Sequence, residues 1–180
     1  MQHQQISIHI KNVEREPQLI TDFSNLANHK WRIINDEVMG GRSDSTLQIN
    51  SSGNAVFLGT VSLANGGGFA SVKNEESLNL KGFNGIRLSV LGDGNRYSFR
   101  FQTGNVNQTN PWSYEHRFDT EKNLWQTIDL SFDKFKAVYR GSELTEPEPL
   151  DPESIRNFGF LISDKQEGAF RLEIEKIELI

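Results

Sequence analysis

Cysteine is absent from the 180 residues, which removes disulfides, thiolate nucleophiles, cysteine-held zinc and iron–sulfur clusters together. Long apolar runs are missing too, since no stretch approaches the ~18 residues of a membrane span. Basic residues are in deficit, 19 against 24 acidic, and a formal charge of -5 argues against a broad nucleic-acid surface while leaving room for a local basic groove. The histidines, His3, His9, His29 and His116, are scattered, with no two at a short metal-ligand spacing. No amphipathic helix of useful length can be drawn anywhere along the chain, so a βαβ architecture is excluded.

What is present is alternation. Ile6-Ser7-Ile8-His9-Ile10, Thr46 to Ile49, Ala55 to Leu63, Phe69 to Val72, Ile86 to Val90, Ser113 to Phe118, Trp125 to Phe132, Phe158 to Ser163 and Phe170 to Ile174 each read as a strand. The clearest is Arg96 to Gln102, which places Tyr97, Phe99 and Phe101 on one face and Arg96, Arg100 and Gln102 on the other. Ser51-Ser52-Gly53-Asn54 turns one pair into a hairpin, and Leu19 to Asn28 reads as an irregular connection or one helical turn. Arg140 to Pro152, with its prolines, reads as a long surface loop closed by a helical turn at Asp151-Pro152. About ten short strands separated by turn signals predict an all-β, antiparallel sandwich or jelly roll, one domain over residues 1–180. The opening residues lack a secretory n-region and the Arg/Ser-rich pattern of a transit peptide, which points to the cytoplasm, or to the mitochondrial matrix for a eukaryotic source.

Glycine clusters punctuate the strands at Gly40-Gly41, Gly66-Gly67-Gly68 and Gly92-Asp93-Gly94. None carries the Lys-Ser/Thr of a P-loop or the third glycine of a dinucleotide fingerprint, so they are expected to be backbone devices. Gly41-Arg42-Ser43-Asp44-Ser45 fails the nucleophile-elbow pattern at its last position. Glu115 and Asp119 are the carboxylates that could face a cleft as a glycosidase-type pair. Calcium held by Asn35-Asp36 or Asp93 is the exception to an otherwise metal-free and cofactor-free expectation. Arg100, Gln102, Tyr114, Arg117, Trp125 and Arg140 form a polar and aromatic set with binding value. Arg100 beside Arg117 would form a local positive patch, unless both pair with Glu115 or Asp119.

Taken in order, Trp31, Asn35-Asp36-Glu37-Val38-Met39-Gly40-Gly41-Arg42-Ser43, Asn65-Gly66-Gly67-Gly68-Phe69-Ala70-Ser71, Gly92-Asp93-Gly94, Trp125, Arg140-Gly141 and Gly159 to Phe170 closely resemble the complex I intermediate-associated protein 30 family, from about Phe23 to Ile180. The resemblance implies a galactose-binding-domain-like jelly roll and a non-enzymatic, assembly-factor-like protein that binds protein partners, including respiratory-complex assembly intermediates. The chain looks like a compact, bacterial-type member, without the extended N-terminal region of the mitochondrial ones. The expected binding face comprises Asn35, Asp36, Arg42, Ser43, Arg100, Tyr114, Arg117 and Arg140. The alternatives are a carbohydrate-binding module of jelly-roll type and an enzyme acting on a sugar or nucleotide.

Overall fold

A computed structural model describes residues 15–24, 30–105 and 108–180. The strand expected at Ile6 to Ile10 lies outside them. Two antiparallel sheets face one another. In the smaller, β10 (Trp125–Ser131), β6 (Gly85–Leu91), β14 (Gly168–Leu179), β4 (Ala55–Val61) and β3 (Asp44–Ile49) lie side by side in that order, with β1 (Gln18–Thr21) paired to the end of β14. In the larger, the order is β12 (Ser142–Glu143), β11 (Lys136–Tyr139), β9 (Ser113–Asp119), β7 (Arg96–Asn105), β13 (Ile155–Ile162), β5 (Ala70–Asn74) and β2 (Trp31–Ile33), with β8 (Gln108–Thr109) against the end of β7. The expected β-sandwich is the observed one.

Period-two alternation decides which faces meet. Tyr97, Phe99 and Phe101 of β7 and Phe158, Phe160 and Ile162 of β13 are buried against Phe57 and Val61 of β4, Ile86, Leu88 and Val90 of β6, and Leu172 and Ile174 of β14. Burying each such side chain contributes roughly 1.5–3 kcal/mol. Phe99 lies at the centre of this packing, 5.1 Å from Phe101 and 5.2 Å from Phe160 in edge-on contacts.

Three local expectations are corrected. Leu19 to Thr21 is an edge strand, not a helical turn, because its backbone extends the smaller sheet along β14. The loop after Arg140 begins with a short hairpin, Val138 opposite Glu143 and Tyr139 opposite Ser142. Its closing segment is a turn in which Asp151 accepts from the backbone N–H of Glu153 at 3.0 Å, without a helix. Glu173 on the last strand is buried beneath Asn50, Asn54 and Arg171, and the register shifts between Ile174 and Lys176.

Candidate functional site

The outer face of the larger sheet is hollowed, and one wall of the hollow is set by Asp36. The chain leaves β2, makes a 3-10 turn over Asp36–Met39 and reverses at Gly40, whose φ of 86° suits glycine. Asp36 is fully buried, yet its carboxylate is surrounded by donors: the Ser43 N–H at 2.9 Å, the Ser43 hydroxyl at 2.5 Å, and the N–H groups of Gly68 at 2.7 Å and Phe69 at 3.3 Å. Ser43 Oγ in turn accepts from Ser62 N–H at 2.9 Å, and Asn35 Oδ1 accepts from the Ser45 hydroxyl at 2.7 Å. Two distant glycine loops are thereby tied into one knot. Burial pushes the Asp36 carboxyl up, but the Ser43 hydroxyl and the three backbone N–H donors outweigh it and hold the group below the usual carboxylate range.

The knot turns Val38 and Met39 outward, 73% and 64% exposed. From Met39 the hollow runs past Phe69, Leu161, Arg100 and Ser113 to Tyr139 and Arg140, enclosing about 390 Å³. A second hollow of about 220 Å³ shares Phe69, Arg100, Ser113 and Leu161 with it and extends over Lys73, Gln102, Asn157 and Gly159. A third, of about 340 Å³, continues from Val138 and Gly141 over Arg117, Lys134 and Lys136. Together they form a groove across the strands.

Register explains its chemistry. Arg32 stands opposite Lys73, Lys73 opposite Gly159, Gly159 opposite Arg100, Arg100 opposite Glu115, and Glu115 opposite Lys136, so one outward row crosses six strands. Glu115 is buried and accepts from Arg100 Nε at 2.6 Å and Arg117 Nε at 2.8 Å. Burial pushes its carboxyl up, but the Arg100 charge and the bonds from both arginines overcome this and hold it low. Gln102 and Asn157 add an amide pair, joined at 3.0 Å.

The expected binding residues thus separate. Arg100 and Arg140 line the groove, Arg100 through its salt bridge with Glu115 and Arg140 exposed with its guanidinium 5.2 Å from the Tyr139 ring. Arg117 flanks Glu115 and also reaches Asp164 at 3.4 Å. Asn35, Asp36 and Ser43 are buried in the knot, which they hold together. Tyr114 points inward and donates to the Glu148 carbonyl at 2.8 Å, pinning the long loop from beneath. Arg42 is exposed beside the knot, and Trp125 lies on the edge strand of the other sheet. Lys73, Tyr139 and Asn157 are groove residues that sequence reasoning did not single out, and Met39 and Gly159 stood there only as members of a motif. Only the polar phase of each strand marked them, and nothing local says which outward residues meet. Among the described residues no group of three or more His, Asp or Glu could hold a metal, and Asp36 and Asp93, the carboxylates offered to calcium, are hydrogen-bonded by N–H and O–H donors.

The Asp36 and Glu115 carboxyls are held low by bonds that exist only in the fold. A carboxyl whose folded pKa is depressed stabilises above its unfolded value, about 4, and that stability is lost as pH falls through the folded value. Melting temperature is therefore expected to fall below about pH 4, with a shallower acid limb in Glu115→Gln than in the parent. Parallel limbs in thermal melts across pH would show that Glu115 contributes nothing to it.

Fold and groove together define a β-sandwich domain with a groove across the outer face of its larger sheet. The chain belongs to the complex I intermediate-associated protein 30 family, which it matches over residues 21–174. It is 27% identical over 167 residues to the mitochondrial complex I intermediate-associated protein 30 of Mus musculus, covering 82% of this chain and 51% of that protein. To the probable mitochondrial counterpart of Caenorhabditis elegans it is 28% identical, covering 82% of this chain and 49% of that one. The chain therefore spans about half the length of these relatives. In fold it is similar to the family 11 carbohydrate-binding module of a cellulosomal cellulase from Clostridium thermocellum, with a TM-score of 0.68, 15% identity, and coverage of 92% of this chain and 94% of that one. Among the described residues no helix is long and apolar enough to cross a membrane.

Proposed function

We propose that this protein is a non-enzymatic binding module of the assembly-factor kind, holding a protein partner along the groove of the larger sheet. The observation that carries it is the groove's rim. Val38, Met39 and Tyr139 are 73%, 64% and 40% exposed, and the first two are presented by a turn that Asp36 fixes rigidly. Large apolar side chains held out on a rigid frame, with an arginine beside them, have the composition of a protein-contact centre. Membership of a family whose named members are complex I intermediate-associated proteins supports the same reading.

Catalysis by a carboxylate pair fits the geometry poorly. Glu115 is clamped by two arginines, and Asp119 is bonded to Arg96 at 2.7 Å, a contact that holds its carboxyl low. Neither is poised to carry a proton near neutral pH. A sugar-binding role is the second reading, and an exposed aromatic ring, Tyr139, in one hollow with the Gln102–Asn157 amides in the adjoining one is the observation in its favour.

The test is affinity capture from the native cell with the parent and with Met39→Ala/Tyr139→Ala. The expected result is a protein partner captured in stoichiometric yield by the parent and lost with the double variant at unchanged melting temperature, while a glycan array stays silent. Capture unaffected by the substitutions would remove the groove from the account, and selective glycan binding would favour the second reading.

A further inference from the structure

Cations crowd the groove of a protein that is acidic overall. The three hollows are lined by Lys73, Arg100, Arg117, Lys134, Lys136 and Arg140 against only Glu115 and Glu143, whereas the whole chain carries 24 acidic and 19 basic residues. Glu115 is shared by two arginines, and Lys136 pairs with Glu143 at 3.0 Å. Lys73, Lys134 and Arg140 have no carboxylate within ion-pair distance among the described residues. Lys73 is also placed directly opposite another cation, Arg32, whose own partner is Glu75 at 3.3 Å.

Shape narrows the anion. Between Lys73 and Arg100 the row holds Gly159, where an added Cβ would come within 2.9 Å of the Lys73 Cα, so no side chain stands between the two cations. Two strand spacings separate them, about 10 Å. Around the cations lie Met39, Phe69, Pro111, Val138 and Leu161, a lining of mostly aliphatic character. Aliphatic pockets between cations suit alternating acidic and apolar side chains. Nucleic acid would instead gain from several stacked aromatic platforms, and Tyr139 is the one tyrosine along this lining.

We infer that the groove takes an acidic polypeptide segment of the partner in the polyproline II conformation, where every third side chain returns to the same face about 10 Å on, so that its carboxylates stand three residues apart with apolar side chains between them. The segment lies across the strands. Its carboxylates meet Lys73, the outer edge of the Arg100 guanidinium and Arg140, and its apolar side chains meet Met39, Leu161 and Tyr139. This deepens the protein-binding reading and rests on it.

The probe is a fluorescein-labelled peptide of about twelve residues repeating Glu-Leu-Ser, with acids at the three-residue spacing, read by anisotropy against the same peptide carrying Gln for Glu. Lys73→Glu/Arg140→Glu reverses two cations that make no ion pair among the described residues, and a thermal melt checks that the variant folds. The expected result is binding of the Glu peptide that weakens as salt rises and falls about tenfold or more both for the Gln peptide and for the double variant. No binding of the Glu peptide, equal binding of both peptides, binding unmoved by the charge reversal, or displacement of the peptide by a mixed-linked glucan tetrasaccharide would each overturn it. The two levels remain separable. A native partner still captured by the folded charge-reversed variant leaves the protein-binding role standing and removes the acidic segment.

Discussion

Replacing Asp36 by asparagine is expected to cost about 3–5 kcal/mol of folding stability, the range for stripping a charged partner from a buried, fully bonded site. Asparagine keeps the shape but puts an NH₂ where an oxygen was, and every group facing that position is a donor: the N–H groups of Ser43, Gly68 and Phe69 and the hydroxyl of Ser43. At least one N–H then meets another N–H without solvent. For a chain of this size the loss corresponds to a fall of roughly 10 °C or more in melting temperature. Ser43→Ala removes the hydroxyl's bond to the carboxylate and the one it accepts from Ser62 N–H, but leaves the carboxylate its backbone bonds, so it should cost less, about 1–3 kcal/mol. A melting temperature for Asp36→Asn equal to the parent's, or above that of Ser43→Ala, would show that the knot is not held by this charge.

Gly67→Ala is the second large effect, and the neighbouring glycines supply its control. A Cβ at Gly67 would sit 2.5 Å from Asp36 Oδ2 and 2.9 Å from the Ser62 carbonyl oxygen, and neither can retreat because both belong to the knot. A Cβ at Gly40 meets nothing within 4 Å, and its penalty is only that of a positive φ. Chemical denaturation should therefore rank them apart: about 1 kcal/mol for Gly40→Ala, and several for Gly67→Ala, in the range of an overpacked rigid site. Equal losses at the two positions would mean that crowding against Asp36 is not what selects glycine there.

The expected sandwich was readable because its core strands bury one face each. Tyr97-Ser98-Phe99-Arg100-Phe101 cannot be placed in any other phase without exposing three rings. Gln18–Thr21 was not readable as a strand, since four residues at an edge carry too little pattern to compete with the helical spacing of Leu19, Ile20 and Phe23. The Asn35-Asp36 signature showed itself as a turn, but the donors that give Asp36 its role belong to Gly68 and Phe69, more than thirty residues on. The groove was less legible still. Its central row takes one residue from each of six strands, and sequence order says nothing of which strands become neighbours. Arg100 and Arg117 were marked, yet whether they were free or paired depended on Glu115 lying opposite Arg100, which only register decides.

The place of β14 has a consequence for how the molecule comes to exist. This strand lies between β6 and β4 and also carries β1, so the smaller sheet has no continuous hydrogen-bonded path without it, although it is the last of the named strands along the chain. During synthesis β4 and β6 emerge long before the strand that joins them, each with the ladder edge that pairs with β14 still open. The nascent chain must wait on the ribosome with two sticky, half-paired ribbons, a state in which a chaperone, or premature pairing with a neighbouring copy, competes with native assembly.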